Sequence, residues 1–251
     1  MGIALVTGAT AGIGAEFARQ LAAAGHNLVL VARDRKRLED TAQNLRDRYG
    51  VTVEVLAADL LSAEGLAAVE LRAGAREHPV DILVNNAGFG LRDSFEANTV
   101  AAESSLLELL VAVPMRLMHA SLAQMLPRTH GTIINISSVA GFSPRGSYGA
   151  AKAWILSFSR WANIAYRPRG VRVTAVAPGF VRSEFHQRMQ VRTANIPPFL
   201  WLDAERLVHL ALIDVARGKA ISIPTLRYKL LVFVLRLVPA RFSAAGDLTP
   251  L

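Results

Sequence analysis

Tyr148 and Lys152 stand four apart in the run YGAAK, the spacing at which two side chains share one face of a helix. A lysine ammonium beside a phenol favours the ionised form, drawing a group with an ordinary pKa of about 10 toward the range where it exchanges a proton near neutral pH. Ser138, in ISSVAG (136–141), follows a β-branched run just before this helix and can hydrogen-bond a reacting oxygen, with Ser137 the alternative for that role. Taken alone, a tyrosine four before a lysine is equally a surface contact, so the pair gains meaning only from its surroundings. The chain has no cysteine. That removes disulfides, thiolate metal sites and a cysteine nucleophile, leaves redox chemistry to a bound cofactor, and no metal site is expected.

The elements that must position these residues follow from the apolar pattern. Runs at IALV (3–6), NLVLVA (27–32), VTVEVLA (51–57), DILVNNA (81–87), GTIINIS (131–137) and VRVTAVAP (171–178) have strand character. Between them lie helical stretches at Ala15–Ala24, Asp34–Tyr49, Ala63–Glu77, Ser104–Met125 and Tyr148–Tyr166, with a later one at Asp203–Arg217. Strands apolar on both faces, alternating with helices, define an α/β fold: a doubly wound parallel sheet covered by helices on each side. With 251 residues, 52% of them hydrophobic and 19% charged, the chain suits one Rossmann-type domain over 1–251 with a large core.

The first strand runs into TGATAGIG (7–14) and a helix that ends at Gly25. Gly8 permits the tight turn, Gly12 the close approach of a pyrophosphate and Gly14 close helix packing, with Thr10 and Ile13 between them, at a helix N-terminus that attracts anions. The second strand ends in VLVARDRKR, with Ala32 where an NAD site needs an acid and Arg33 after it. NADP(H) is therefore expected, with Arg33 on the 2′-phosphate and Arg35, Lys36 and Arg37 nearby to neutralise it, a solvated first helical turn being the alternative for Arg35 and Arg37. Asp34 is expected as that helix's N-cap. Asp59 and Leu60 end the third strand, where a carboxylate can accept the adenine amino group. Asn86, Ala87 and Gly88 of NNAG (85–88) end the fourth and line the adenine-ribose region, while turn chemistry is the alternative for Asn85 and Asn86.

The ordered set TGATAGIG, NNAG, ISS, Tyr148-x-x-x-Lys152 and PGFVRS (178–183), each at a strand end, resembles the short-chain dehydrogenase/reductase family in its compact single-domain branch, from Ile3 to about Ser183. The resemblance implies that Tyr148 is the catalytic acid/base, that Lys152 also binds the nicotinamide ribose, and that Ser138 positions the substrate carbonyl. Pro178, Gly179, Val181 and Ser183 would cradle the nicotinamide, Ser183 replacing the more usual threonine. Two positions depart from the family pattern. LLVAVP (109–114) puts Leu110 where relatives carry an asparagine that supports a proton-relay water, and Ser138 and Tyr148 are ten apart, a short connection for this family. The implied activity is hydride transfer between NADP(H) and a ketone or secondary alcohol. An NADP(H)-binding regulator or scaffold with little turnover is the alternative, motivated by Leu110.

Phe89, Phe142, Phe180, Phe185, His186, Phe199 and Trp201 lie in loops at or beyond strand ends and suggest a small hydrophobic substrate, with lid packing the alternative for each. Residues 182–201, with Pro197 and Pro198, break the rhythm and are expected as a substrate lid. Leu226–Phe242 is expected as a basic amphipathic helix that packs on the chain's own core or another subunit of a homodimer or homotetramer; peripheral contact with an anionic membrane is the second reading. The net charge of +8 is dispersed and accompanied by no stacking motif or zinc framework, so no nucleic-acid partner is expected. The chain starts directly in an apolar strand, without a basic leader, and its uninterrupted apolar stretches fall short of the roughly 20 residues of a membrane span, so a cytoplasmic location is expected.

Overall fold

The computed structural model describes residues 2–182 and 197–237. The strands are β1 Ile3–Thr7, β2 Asn27–Ala32, β3 Val53–Ala57, β4 Val80–Asn85, β5 Gly131–Ile136, β6 Val171–Val176 and the short β7 Ile221–Ser222. They form one parallel sheet in the order β3-β2-β1-β4-β5-β6-β7. The helices are α1 Gly12–Ala23, α2 Arg35–Tyr49, α3 Ala63–Ala73, α4 Val100–Leu107, α5 Val113–Met125, α6 Gly146–Tyr166, α7 Ala204–Ala216 and α8 Leu226–Leu237. This is the expected doubly wound, Rossmann-like single domain. The chain leaves β1 toward β2 on one side and later crosses to β4 on the other, so a crevice opens at the carboxyl ends of β1 and β4.

Alternate side chains of each strand feed two cores. Ala4, Val6, Leu28, Leu30 and Val84 pack under α1, α2 and α7 with Phe17, Leu38 and Leu207. Leu5, Val29, Leu83 and Ile133 face the other way, onto α3, α5 and α6, with Leu66, Leu117 and Ala162. Burial on both faces is why the strands read as continuous apolar runs.

Local signals set the boundaries. Asp34 caps α2 by accepting from Arg37 N at 3.0 Å, and Gly25, at φ +84°, follows α1 in the left-handed conformation that stops a helix. The third helix ends at Ala73, short of Glu77, and α1, the α4 run and α6 each begin a few residues earlier than the periodicity implies. Between α4 and α5 the chain widens into a π-helical stretch, Glu108–Ala112. Pro114 lies at the start of α5; having no N–H for the Leu110 carbonyl and a ring that would crowd it, it favours the wider turn.

The combined run Val100–Met125 is 26 residues long and apolar enough, by length and composition, to cross a membrane, although Glu103, Glu108 and Arg116 interrupt its apolar residues. Its apolarity has a local use, because Val113, Leu117, Met118 and Met125 are built into the second core.

Candidate active site

The turn after β1 is built for close approach. Gly8 and Gly12 have φ of +67° and +56°, and Gly8 N donates to Val31 O at 2.8 Å. A Cβ on Gly14 would run into Gly8 O and the Asn86 amide, so α1 can sit this tightly only with glycine there. Thr7 ties the turn to β4: its Oγ1 accepts from Asn86 N at 2.9 Å and Ala87 N at 3.0 Å, while Asn86 Nδ2 donates to Thr7 O at 2.9 Å and Gly8 O at 3.2 Å. The N-terminus of α1 has Ala11 as its cap residue, no side-chain cap and no acid in its first turn. Its amides are thus directed at the turn and matched to an anion, which is the cradle a pyrophosphate requires.

Around this cradle the residues divide. Arg33 is exposed at the end of β2, Arg35 pairs with Glu39 at 3.8 Å, and Arg37 Nη2 donates to Thr10 O at 3.2 Å. Arg37 is therefore held against the glycine turn, which favours its reading as a residue near the phosphate over that of a solvated helical turn. Asp59 is exposed and folds its own loop by accepting from Leu61 N at 3.1 Å, while Leu60 is buried. Asn85 is drawn inward, donating to Asn135 Oδ1 at 2.9 Å, so it supports the sheet from within. Thr7 was missed, for a threonine at a strand end carries no mark of being a hub.

Ser138, Tyr148 and Lys152 converge at the carboxyl end of β5. Ser138 and Tyr148 are joined by a side-chain hydrogen bond, and Ser138 Oγ also accepts from Ala140 N at 3.2 Å. A 3-10 turn over Val139–Phe142 takes up the ten-residue connection, and Gly141 rests directly on the backbone of Lys152 and Ala153. Lys152 is buried, its Nζ donating to Ile136 O at 2.7 Å and lying 5.7 Å from the Tyr148 ring centroid. Ser137 is also buried and donates to Lys152 O at 2.8 Å. Its hydroxyl anchors α6 to β5, leaving Ser138 as the serine that meets the tyrosine.

Both titratable groups are shaped by burial. Desolvation pushes the Tyr148 phenol up to about 12, against a smaller opposing effect of its hydrogen bond with Ser138, and pulls the Lys152 ammonium down to about 8. The expectation that the lysine would lower the tyrosine is thus corrected in direction: burial disfavours the charged form of each. Leu110, Leu106 and Ala151 form the buried wall beside Tyr148, joined by Phe89 and Leu91. Leu110 therefore presents methyl groups where the family pattern has an amide.

The segment after β6 completes the edge. Pro178 O accepts from Val139 N at 3.0 Å, and Gly179 packs flat on the Tyr228 ring with no room for a Cβ. Val181 bridges Leu202, with Leu202 N donating to Phe180 O at 2.8 Å, so the excursion expected as a lid is closed at its base. Phe180 and Trp201 pack at 5.9 Å between centroids, while Phe199 is exposed. Ser183, Phe185 and His186, with most of the expected lid, lie outside the described residues, as does the part of the C-terminal helix beyond Leu237.

The chain matches the family model described as short chain dehydrogenase over residues 2–193 and belongs to that family of nicotinamide-dependent oxidoreductases. It is similar to a short-chain dehydrogenase from Sphingobium yanoikuyae in complex with NADPH, 36% identical, with a TM-score of 0.86 and 93% of each chain covered. It is likewise similar to a bulky-bulky ketone specific alcohol dehydrogenase from Comamonas testosteroni, 36% identical, TM-score 0.81, covering 93% of this chain and 92% of that one. The 3-oxoacyl-(acyl-carrier-protein) reductase of Aquifex aeolicus is 31% identical over 185 residues, 72% of this chain and 75% of its own length.

Proposed function

We propose that the protein is an NADP(H)-dependent oxidoreductase that interconverts a ketone and a secondary alcohol bearing apolar substituents. The observation that carries this reading is the hydrogen-bonded Ser138–Tyr148 pair beside buried Lys152, at the carboxyl edge of the sheet next to an anion cradle. When bound, the nicotinamide supplies the hydride that the protein lacks. Gly8, Thr10, Gly12, Ile13 and Gly14 hold the pyrophosphate; Asp59, Leu60, Asn86, Ala87 and Gly88 line the adenosine side; Pro178, Gly179, Val181 and Ser183 line the nicotinamide side. Arg33 and the tethered Arg37 support the choice of NADP(H), as Ala32 offers no carboxylate to repel a 2′-phosphate.

In reduction, Ser138 and Tyr148 together orient the carbonyl oxygen, and Tyr148, protonated at neutral pH with its phenol at about 12, gives its proton to that oxygen as charge develops there. The Lys152 ammonium stabilises the phenolate left behind and offers a donor to the nicotinamide ribose. Partly buried Phe89 and Leu91, packed on the Leu106–Leu110 core beside Tyr148, favour a substrate with bulky hydrocarbon on at least one side of the carbonyl. The test is NADPH against NADH oxidation over a panel of bulky apolar ketones. Faster turnover with NADPH on some of them supports the reading, and preference for NADH overturns the cofactor assignment.

Leu110 also supports a second reading, an NADP(H)-binding regulator or scaffold with little turnover, since a leucine cannot hold a relay water by its side chain. NADPH binding with no oxidation across the panel would favour it.

A further inference from the structure

Helix α8, Leu226–Leu237, has two unlike faces. Tyr228 and Val232 are buried at 1% and 2% exposure, and the Tyr228 hydroxyl donates to Leu200 O at 2.7 Å and accepts from Phe180 N at 3.0 Å. One face is therefore fixed to Phe180 and Leu200, on the described segments that follow β6 and precede α7. The opposite face carries Leu226, Leu230, Phe233, Val234 and Leu237, between 46% and 81% exposed, and Phe199, at 66%, lies on the neighbouring turn whose carbonyl Arg227 holds. At about 100° per residue these five helical positions form a single stripe, with Arg227 bordering one side and Lys229 the other. The run LRYKLLVFVLRL contains three basic residues and no acidic one.

A tyrosine clamp on one side and a bare hydrocarbon stripe with cationic borders on the other is the pattern of a helix lying in a lipid headgroup region. A protein partner fits less well. Pairing this face with its copy in a second chain sets basic borders against basic borders, with no acidic residue in the helix to neutralise them. A stripe about 18 Å long and roughly 10 Å wide offers on the order of 200 Å², against about 800 Å² per partner in a stable interface.

We propose that the outer face of α8, with exposed Phe199 beside it, docks the protein peripherally on an anionic membrane. The inference rests on the surface pattern and not on the reaction, so it stands or falls separately from the proposed activity.

The test is flotation of the full chain, loaded with NADPH, with vesicles of phosphatidylcholine alone or mixed with phosphatidylglycerol, at low and high salt. The wild type should float with the anionic vesicles at low salt and be released by high salt. Lys229→Glu should weaken binding about fivefold or more, from roughly 1 kcal/mol per basic residue near the surface, and Leu230→Glu with Phe233→Glu should abolish it. NADPH binding and the circular dichroism spectrum should stay unchanged in these variants, since all three side chains are exposed. Failure of the wild type to float, or flotation that survives the double substitution, overturns the proposal. So does a loss of self-association in the double variant without any effect on vesicles, which would make the stripe an interface between copies.

Discussion

Tyr148 keeps its proton at neutral pH because it shares a desolvated wall with Leu110 and Leu106, and Lys152 is charged only up to a pH of about 8. The fall from 10.5 to about 8 corresponds to roughly 3 kcal/mol against the buried ammonium, the kind of perturbation that marks a functional site. The sign for catalysis follows. Below that pH the ammonium is present to stabilise the phenolate formed in reduction; as pH rises through about 8 the charge is lost. The pH profile of kcat/KM for ketone reduction should therefore have a falling limb near pH 8, and a profile flat up to pH 10 would contradict this role for Lys152. Arg33→Ala should weaken NADPH binding about tenfold or more, from the loss of a charge-assisted contact, while leaving NADH nearly unchanged. Titration by cofactor fluorescence distinguishes this from equal losses, which would reject Arg33 as the phosphate ligand. The chemistry-bearing residues were legible because strand-end motifs bracket them. Thr7 was not, nor was the tether of Arg37 to Thr10 O, since both depend on which backbone atoms the fold brings near.

At the level of elements, the site is held by contacts that tolerate no added atom. Gly179 lies against Tyr228, whose hydroxyl fastens the loop after β6 to Leu200. Gly179→Ala should force that ring away, loosening α8 and the nicotinamide side together. The expected result is a Tm drop of several degrees with weakened NADPH binding, and an unchanged melting curve would show that the clamp is slack. Leu110→Ala should cost about 2–5 kcal/mol, as for other large-to-small core changes, measurable by urea unfolding. Strands and most helices were legible from period and caps. The π-turn was not, because a one-residue widening leaves the apolar pattern almost unaltered and only Pro114 hinted at it. Strand β7 is two residues long, too short to leave any pattern.

The whole molecule places both halves of the chemistry at one edge. The order β3-β2-β1-β4-β5-β6-β7 sets the anion cradle after β1 beside the Ser138–Tyr148–Lys152 cluster near β5, although more than 120 residues separate them in sequence. That alternation was readable from the apolar runs, whereas the facing of each helix toward one core or the other needed the coordinates. On the outside, Val100, Leu107 and Met115 of the α4–α5 run and Trp161 and Ile164 of α6 are exposed, apolar side chains available to the homo-oligomer expected from the sequence. Trp161→Glu with Ile164→Glu should shift the sedimentation coefficient to that of a smaller species, and a monomeric wild type would contradict this assignment.

The central claim is that Tyr148 moves the proton while NADPH moves the hydride. It is tested most directly by single-turnover NADPH oxidation on a bulky apolar ketone, wild type against Tyr148→Phe, with cofactor binding measured in both. The account predicts at least a hundredfold slower oxidation in the variant, the lower end of general acid catalysis, with NADPH affinity retained. A variant that oxidises NADPH at the wild-type rate would contradict it.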